Sequence, residues 1–559
     1  MADTPNPANQ IADELKAHRE EFDLETALRN GDVTHLERWP DYSATGIDAR
    51  TAALLEIATR AEAVPASGTA EQNLVDAVGF SARADAAILE ILPQLRSFNP
   101  ATGLLSVMTT LLARFPLVTA DHGERYHDKL RAFPAFVDGW SERLRAGVPA
   151  GDVPIHHLVQ EQIGLVDELL SKPLSTGPFG GQVAPTQLDE RAAARWTATT
   201  HRLLDTDVAA GLAALRGTLV EHTLPAAMPD DRPGLMHLPG GVERYVRQLW
   251  ASTSLDVSPE EVHRIGIEQV ARLEDEYRQI AGPVLGTRDV PEIMHRLRDD
   301  PGLHYRDAET LIADAGDALD RATAAAPHWF GVLPRATCTP HSTRRGSLAF
   351  YSPPAVDGSK QGAFFVNVSD PTMWGTYQVA AMTYHEGVPG HHLQMALAQE
   401  LPDVHPLLGE DLVFAYGEGW GLYTERLADE MGLYLNDLDR IGMLWADSMR
   451  SCRLVVDTGI HALGWTRDQG IEYLLANAPV SLGQATNEVD RYIGMPGQAC
   501  SYMLGRITID QLRANAAARL GDRFDIRAFH DQVLATGSIP LPSLQRTIED
   551  WVELELARR

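Results

Sequence analysis

Residues 384–394 read Tyr-His-Glu-Gly-Val-Pro-Gly-His-His-Leu-Gln. A His-Glu pair followed within two turns by further histidines is half of a catalytic zinc site carried on a helix, so a mainly α metallohydrolase is the leading expectation. The spacing departs from His-Glu-x-x-His, in which histidines four apart share one helical face. Here His385 is followed by His391 and His392. On a regular helix a separation of six turns the side chains roughly 120° apart, and a separation of seven realigns them about 10 Å apart along the axis. Neither arrangement brings both to one ion. Pro389 supplies the remedy, because it has no N–H for the carbonyl of His385 and its ring clashes there. Gly387 and Gly390 relax the backbone on either side, so a bulge or kink is expected inside the motif, bringing His385 and His391 onto one metal. The flanking Met382, Tyr384, Leu393, Met395, Ala396 and Leu397 suit a buried helix.

A catalytic zinc takes three protein ligands and keeps one position open. The third is expected on residues 411–431, DLVFAYGEGWGLYTERLADEM. Tyr416, Trp420, Tyr423 and Leu427 recur at helical spacing and read as core, beside a stripe of Glu418, Leu422, Glu425 and Asp429. Glu418 stands between Gly417 and Gly419, where missing side chains let the helix approach a partner, so Glu418 is assigned as the third ligand. Glu425 is kept to orient a ligand or pair with an arginine. His392 is expected to support the site or face substrate, with its candidacy as a ligand left open. Glu386 is the candidate general base. Two imidazoles and a carboxylate favour Zn²⁺ and also accept Mn²⁺ or Co²⁺.

Three segments, HEGVPGHHLQ, EGWGLYTE at 418–425 and RYIGMPGQACSYMLGR at 491–506, resemble the bacterial DUF885 family. That family is similar in fold to the M32 carboxypeptidases and to the helical gluzincin metallopeptidases. The resemblance implies a mainly α, M32-like molecule with a deep cleft, zinc at its floor and peptide-like substrates. Related gluzincins use a tyrosine of a late helix to stabilise the tetrahedral oxyanion. By that resemblance Tyr502 is the candidate, with Tyr492 as competitor, and a packed core tyrosine is an equally good reading of either. Arg491 and Gln498 are candidates to hold a substrate carboxylate or carbonyl.

Upstream, residues 341–371 place Leu348, Phe350, Phe364, Val366 and Val368 in short runs around the turn-forming segment Pro-Pro-Ala-Val-Asp-Gly-Ser. This signals a β-hairpin or small sheet beside the metal helix. Its edge could take a peptide strand by main-chain pairing, with Asn367, Arg344 and Arg345 as contacts. A structural hairpin with solvated arginines fits the same residues.

The remaining chain bounds the answer. Apolar spacing near 3.6 runs through residues 10–29, 50–63, 71–98, 101–114, 119–146, 155–171 and 187–221. A Gly/Pro-rich break at 224–241 suggests an N-terminal helical subdomain, 1–230, and a catalytic one, 231–559, within one continuous family domain. Ser258, Pro259 and Glu261 mark a strong helix start. Cys338, Cys452 and Cys500 are too few and scattered for a disulfide framework or a thiolate metal site. With 48 Lys and Arg against 77 Asp and Glu, the net charge of −29 opposes binding to nucleic acid or anionic membranes. No span of eighteen apolar residues or signal peptide is legible, so a cytoplasmic location is expected. The oligomeric state is not readable, although helical enzymes of this kind are often homodimers. The partner expected is a peptide or small amide substrate. The alternatives are a metal-dependent hydrolase of a nonpeptide amide or small metabolite, and an inactive helical binding protein that keeps the motif.

Overall fold

The structure is a computed structural model that describes residues 6–558 except 23, 25, 26, 28–32, 93, 100–102, 345, 356, 357, 403 and 411. Helices dominate. The N-terminal part contains α1 (Pro7–Phe22), α2 (Ala44–Glu62), α3 (Thr69–Ile91), α4 (Leu104–Ala113), α5 (Ala120–Ala150), α6 (His156–Leu170), α7 (Glu190–Leu203) and α8 (Ala209–Thr218). Short turns over the Gly/Pro-rich segment lead into α9 (Gly241–Thr253), α10 (Pro259–Leu285), α11 (Val290–Asp299) and α12 (Ala308–Ala325). The Ser258 hydroxyl caps α10 by accepting from the Glu261 N–H at 3.2 Å, as its sequence predicts.

A three-stranded sheet follows: β1 (Cys338–Thr343), β2 (Ala349–Ser352) and β3 (Gly362–Asn367), in the order β1-β3-β2. β2 and β3 pair antiparallel with Ala349 opposite Val366, which is the predicted hairpin. β1 adds in parallel on the far side, with Cys338 opposite Gly362. That strand, Cys-Thr-Pro-His-Ser-Thr, carries few apolar residues and is largely exposed, so periodicity gave it no signal. Among the described residues β2 pairs on one side only, which leaves its other edge free.

The remaining helices build the C-terminal part: α13 (Gln378–Glu386), α14 (His391–Glu400), α15 (Phe414–Glu430), α16 (Asp437–Ala462), α17 (Arg467–Asn477), α18 (Leu482–Gly494), α19 (Ser501–Leu520), α20 (Ile526–Leu534) and α21 (Leu541–Ala557). α16 is buried along nearly its whole length, and both α10 and α13 pack against it. α15 lies against α19, where an added Cβ on Gly419 would come within 2.6 Å of the Gly505 backbone. Only a pair of side-chain-free residues permits that approach. A large contiguous apolar core runs from Ala8 to Val552, beside a smaller cluster that includes Leu249, Val262, Leu422 and Met503. The chain end returns to its beginning, Asn73 of α3 donating to Thr547 of α21 at 2.8 Å. No described helix is long and apolar enough to cross a membrane.

Candidate metal centre

The sequence Gly387-Val388-Pro389-Gly390 breaks the motif into two helices rather than bulging one. α13 ends at Glu386, the Val388–Pro389 peptide is cis, and α14 begins at His391. Gly390 is forced by contact: a Cβ there would lie 1.9 Å from the His385 carbonyl oxygen and 2.4 Å from that of Tyr384. The break frees backbone groups, and α15 recovers two of them. The Trp420 indole N–H donates to the Pro389 carbonyl at 3.0 Å, and the Thr424 hydroxyl donates to that of Tyr384 at 3.2 Å. Trp420 and Thr424 are thus core residues that also satisfy the broken helix.

The turn places His385 and His391 with ring centroids 4.8 Å apart at 86°. Glu418 Oε2 stands 3.4 Å from Nε2 of each. His385, His391 and Glu418 offer one ligand atom apiece, all within 4.8 Å of one another. Four-coordinate zinc at about 2.0–2.1 Å sets its ligand atoms roughly 3.3–3.4 Å apart, so the carboxylate-to-imidazole spacing fits that ion. The donor set suits it as well, being two nitrogens and one oxygen, with His385 buried and His391 and Glu418 half-buried at a cleft.

His385 is gripped from both sides by one helix. Glu418 and Glu425 are seven residues apart on α15 and share a face. Glu425 Oε1 accepts from His385 Nδ1 at 2.8 Å, and because a carboxylate only accepts, one proton is fixed on Nδ1 and Nε2 is the ring atom left facing Glu418, the one a metal would take. Gly421 lies between the two glutamates, and a Cβ on it would meet His385 Cε1 at 2.7 Å. Burial opposes charge on His385, yet Glu418 and Glu425 outweigh it and raise the imidazole to about 9. Burial likewise opposes ionisation of Glu418, but hydrogen bonds from the two histidines hold it well below the usual carboxylate range. Glu386, 6% exposed, is pushed above its ordinary value by burial.

These residues open onto a cleft of about 1030 Å³ lined by Glu386, Tyr502, Arg491 and Asn367, among others. Ala349, Phe350 and Tyr351 of the free-edged strand β2 form part of its wall. Burial raises the Tyr502 hydroxyl, so it stays protonated. Tyr492 is fully buried and outside the cleft lining, and its hydroxyl donates at 2.7 Å to Oε2 of Glu488, a carboxylate of the cleft wall. Its position is that of a packing residue. Gln498 is buried and accepts from Arg491 Nη1 at 2.6 Å, so these two candidates bind each other. Asn367 braces the approach to β2 by donating to the Gly346 carbonyl at 3.0 Å. Arg344 is exposed and outside the cleft lining, and Arg345 lies outside the described residues.

His392 turns away from the cluster. Its Nδ1 is 2.9 Å from the Tyr351 hydroxyl and its Nε2 is 3.0 Å from the Ala336 carbonyl, so it ties β2 to the chain leading into β1. His391 is therefore the histidine that joins His385. Two cleft residues escaped the sequence reading, Arg450 and Arg453 on α16. They sit in a helix buried on all sides, where amphipathic spacing gives no cue and charged, polar and apolar residues alternate without a face to set the arginines apart.

Residues 25–548 match the family described as "Bacterial protein of unknown function (DUF885)". The chain belongs to that family. No curated protein is similar to it. Among solved structures it is similar to one described as a putative lipoprotein from Colwellia psychrerythraea, with 25% identity and a TM-score of 0.88 over 98% of this chain and 99% of that one. A second, described as a putative lipoprotein of unknown function from Shewanella oneidensis, shares the fold at 16% identity and a TM-score of 0.71, over 97% and 98% of the two chains.

Proposed function

We propose that the protein is a zinc-dependent hydrolase of the peptidase type, with His385, His391 and Glu418 as the metal ligands. The observation that carries the reading is the convergence of these three donors, with Glu386 beside them, on one cleft. Bound there, zinc supplies Lewis acidity toward a carbonyl and a water. Glu386 takes the proton of the attacking water and hands it to the leaving amine, a role suited to a carboxylate whose affinity for protons burial has increased. Tyr502 donates a hydrogen bond to the oxygen that gains charge. Glu425 keeps the His385 ring oriented. The free edge of β2 offers main-chain partners to an extended substrate and so favours a peptide over a compact metabolite. The proposal extends to the M32-like, gluzincin relationship and to a cytoplasmic location.

Metal content and hydrolysis of a peptide panel, measured on wild type and on Glu386→Gln, test the reading. About one zinc per chain in both is expected, with turnover in the variant lower by roughly 10²–10⁴-fold. A variant that hydrolyses peptides at the wild-type rate removes Glu386 as the base. His385→Ala with unchanged zinc content removes the site itself.

A further inference from the structure

We infer that Arg450 and Arg453, with Arg491 beside them, form an anchor for a substrate carboxylate on the cleft wall formed by α16 and α18. The inference rests on the peptidase reading and adds the chemistry by which a substrate is held.

Arg450 is 6% exposed and Arg453 is 8% exposed, yet both line the cleft. Arg450 makes no hydrogen bond with any described residue. The carboxylate facing it is Glu425 Oε1, 3.8 Å away and already engaged with His385, and its Nε is buried without a partner. Arg453 gives two donors to Glu488, at 3.2 and 2.8 Å, while its Nη1 is buried and unpartnered. Arg491 also donates to Glu488, at 3.1 Å. Glu488 is therefore shared by Arg453, Arg491 and the Tyr492 hydroxyl, and with Glu425 already engaged by His385 the three guanidinium groups on this wall keep donors that neither carboxylate takes up.

A buried guanidinium with unmade hydrogen bonds is costly, and an arriving carboxylate can satisfy it in the two-pronged geometry that Arg favours. These unsatisfied guanidinium donors are all the more pointed in a chain whose net charge is −29. Position supports the same occupant. The Tyr502 ring lies under the Arg453 guanidinium at 4.3 Å and near that of Arg450 at 5.7 Å. Glu425 touches both Arg450 and His385. The anchor thus adjoins the metal cluster, close enough for a substrate to reach both with one or two residues. A peptide held by its terminal carboxylate would present a bond near its C-terminus to Glu386. A carboxylate on an acidic side chain has the same chemistry and is the second possible source.

Binding, rather than turnover, separates failure of this inference from failure of the peptidase reading. Calorimetry on the zinc-loaded full chain would use three N-acetylated tripeptides: one with a free C-terminal carboxylate, its C-terminal amide, and an amide with aspartate as last residue. Expected is at least tenfold tighter binding of the free acid than of its amide. That preference should shrink below threefold in Arg450→Met and partly return in Arg450→Lys, with zinc content and melting temperature close to wild type in both. Equally tight binding of the aspartyl amide would assign the anchor to a side-chain carboxylate. Equal affinities for the free acid and both amides in the wild type would overturn the inference, even if all three peptides are hydrolysed. A preference that survives in both Arg450→Met and Arg453→Met would overturn it too.

Discussion

Replacing Gly421 by alanine separates a role in the metal site from a role in the helix. In an exposed helix interior this exchange gains about 0.8–1 kcal/mol, because glycine costs more backbone entropy than alanine. At Gly421 the new Cβ would lie 2.7 Å from His385 Cε1, 2.9 Å from Nε2 and 3.0 Å from Nδ1, against ordinary contacts of 3.4–4 Å. The ring cannot tip aside freely, since Glu425 holds Nδ1 and Glu418 stands at Nε2. Relief takes a displacement of roughly 0.7 Å, well beyond the ±0.2 Å tolerance of metal–ligand distances. Overpacking of this kind costs about 1–3 kcal/mol, which in zinc affinity is roughly 5- to 150-fold. The assay is competition for zinc against a chelator of known affinity, paired with thermal melting of zinc-free protein. Gly164→Ala is the reference, because Gly164 lies inside α6 with nothing within 4 Å of the added methyl. It should melt slightly higher and bind zinc as wild type does. If Gly421→Ala matches it in both measurements, His385 is not a ligand held by this helix.

Other perturbations test the neighbouring parts. Glu425→Ala, which removes the partner of His385 Nδ1, should weaken zinc binding roughly 10- to 100-fold, and unaltered affinity would strip Glu425 of its orienting role. Tyr502→Phe should lower turnover by about 10²–10³-fold with zinc retained, the usual effect of losing one oxyanion donor. Tyr492→Phe should lower turnover far less than Tyr502→Phe and cost stability of about 1–3 kcal/mol, through the acceptor it abandons on Glu488. The reverse pattern would exchange the two tyrosines. A clasp between α6 and α18 should make stability depend on pH, since His157 bridges Asp490 and Asp230 at 2.9 Å each and Arg467 also binds Asp490. Burial opposes charge on His157, but the two aspartates outweigh it and raise its pKa, so its contribution is full below about pH 6.5 and fades as pH rises through the raised value. The pKa values of Asp490 and Asp230 are lowered despite burial, so their part is lost only as pH falls below the ordinary carboxylate range. Glu161, raised by burial and by Asp490, acts in the opposite sense. The melting-temperature gap between wild type and His157→Gln should therefore be wider at pH 6 than at pH 8, and a constant gap would refute the clasp.

What could be read from the sequence, and what could not, follows from how local each constraint is. The interruption after Glu386 was legible because Pro389 and the two glycines act on their own backbone, whatever surrounds them. That the interruption separates α13 from α14 rather than bulging one helix depends on Trp420 and Thr424 arriving from α15 to satisfy the freed carbonyls. Glu418 could be picked out by its flanking glycines, and the hairpin by its alternating apolar residues. β1 could not, because a polar strand is specified by pairing with β3 and not by its own pattern. His392 and Tyr492 look as reactive in sequence as His391 and Tyr502. They differ only in which way the backbone turns them, His392 toward Tyr351 and Ala336, Tyr492 toward Glu488. Arg450 and Arg453 were hidden for the opposite reason: a helix buried all round has no polar face for a charge to violate. A buried arginine with no hydrogen-bond partner becomes visible only when its surroundings are known. Local backbone chemistry thus announces where the site is, while the choice among chemically equal side chains is made by tertiary contacts.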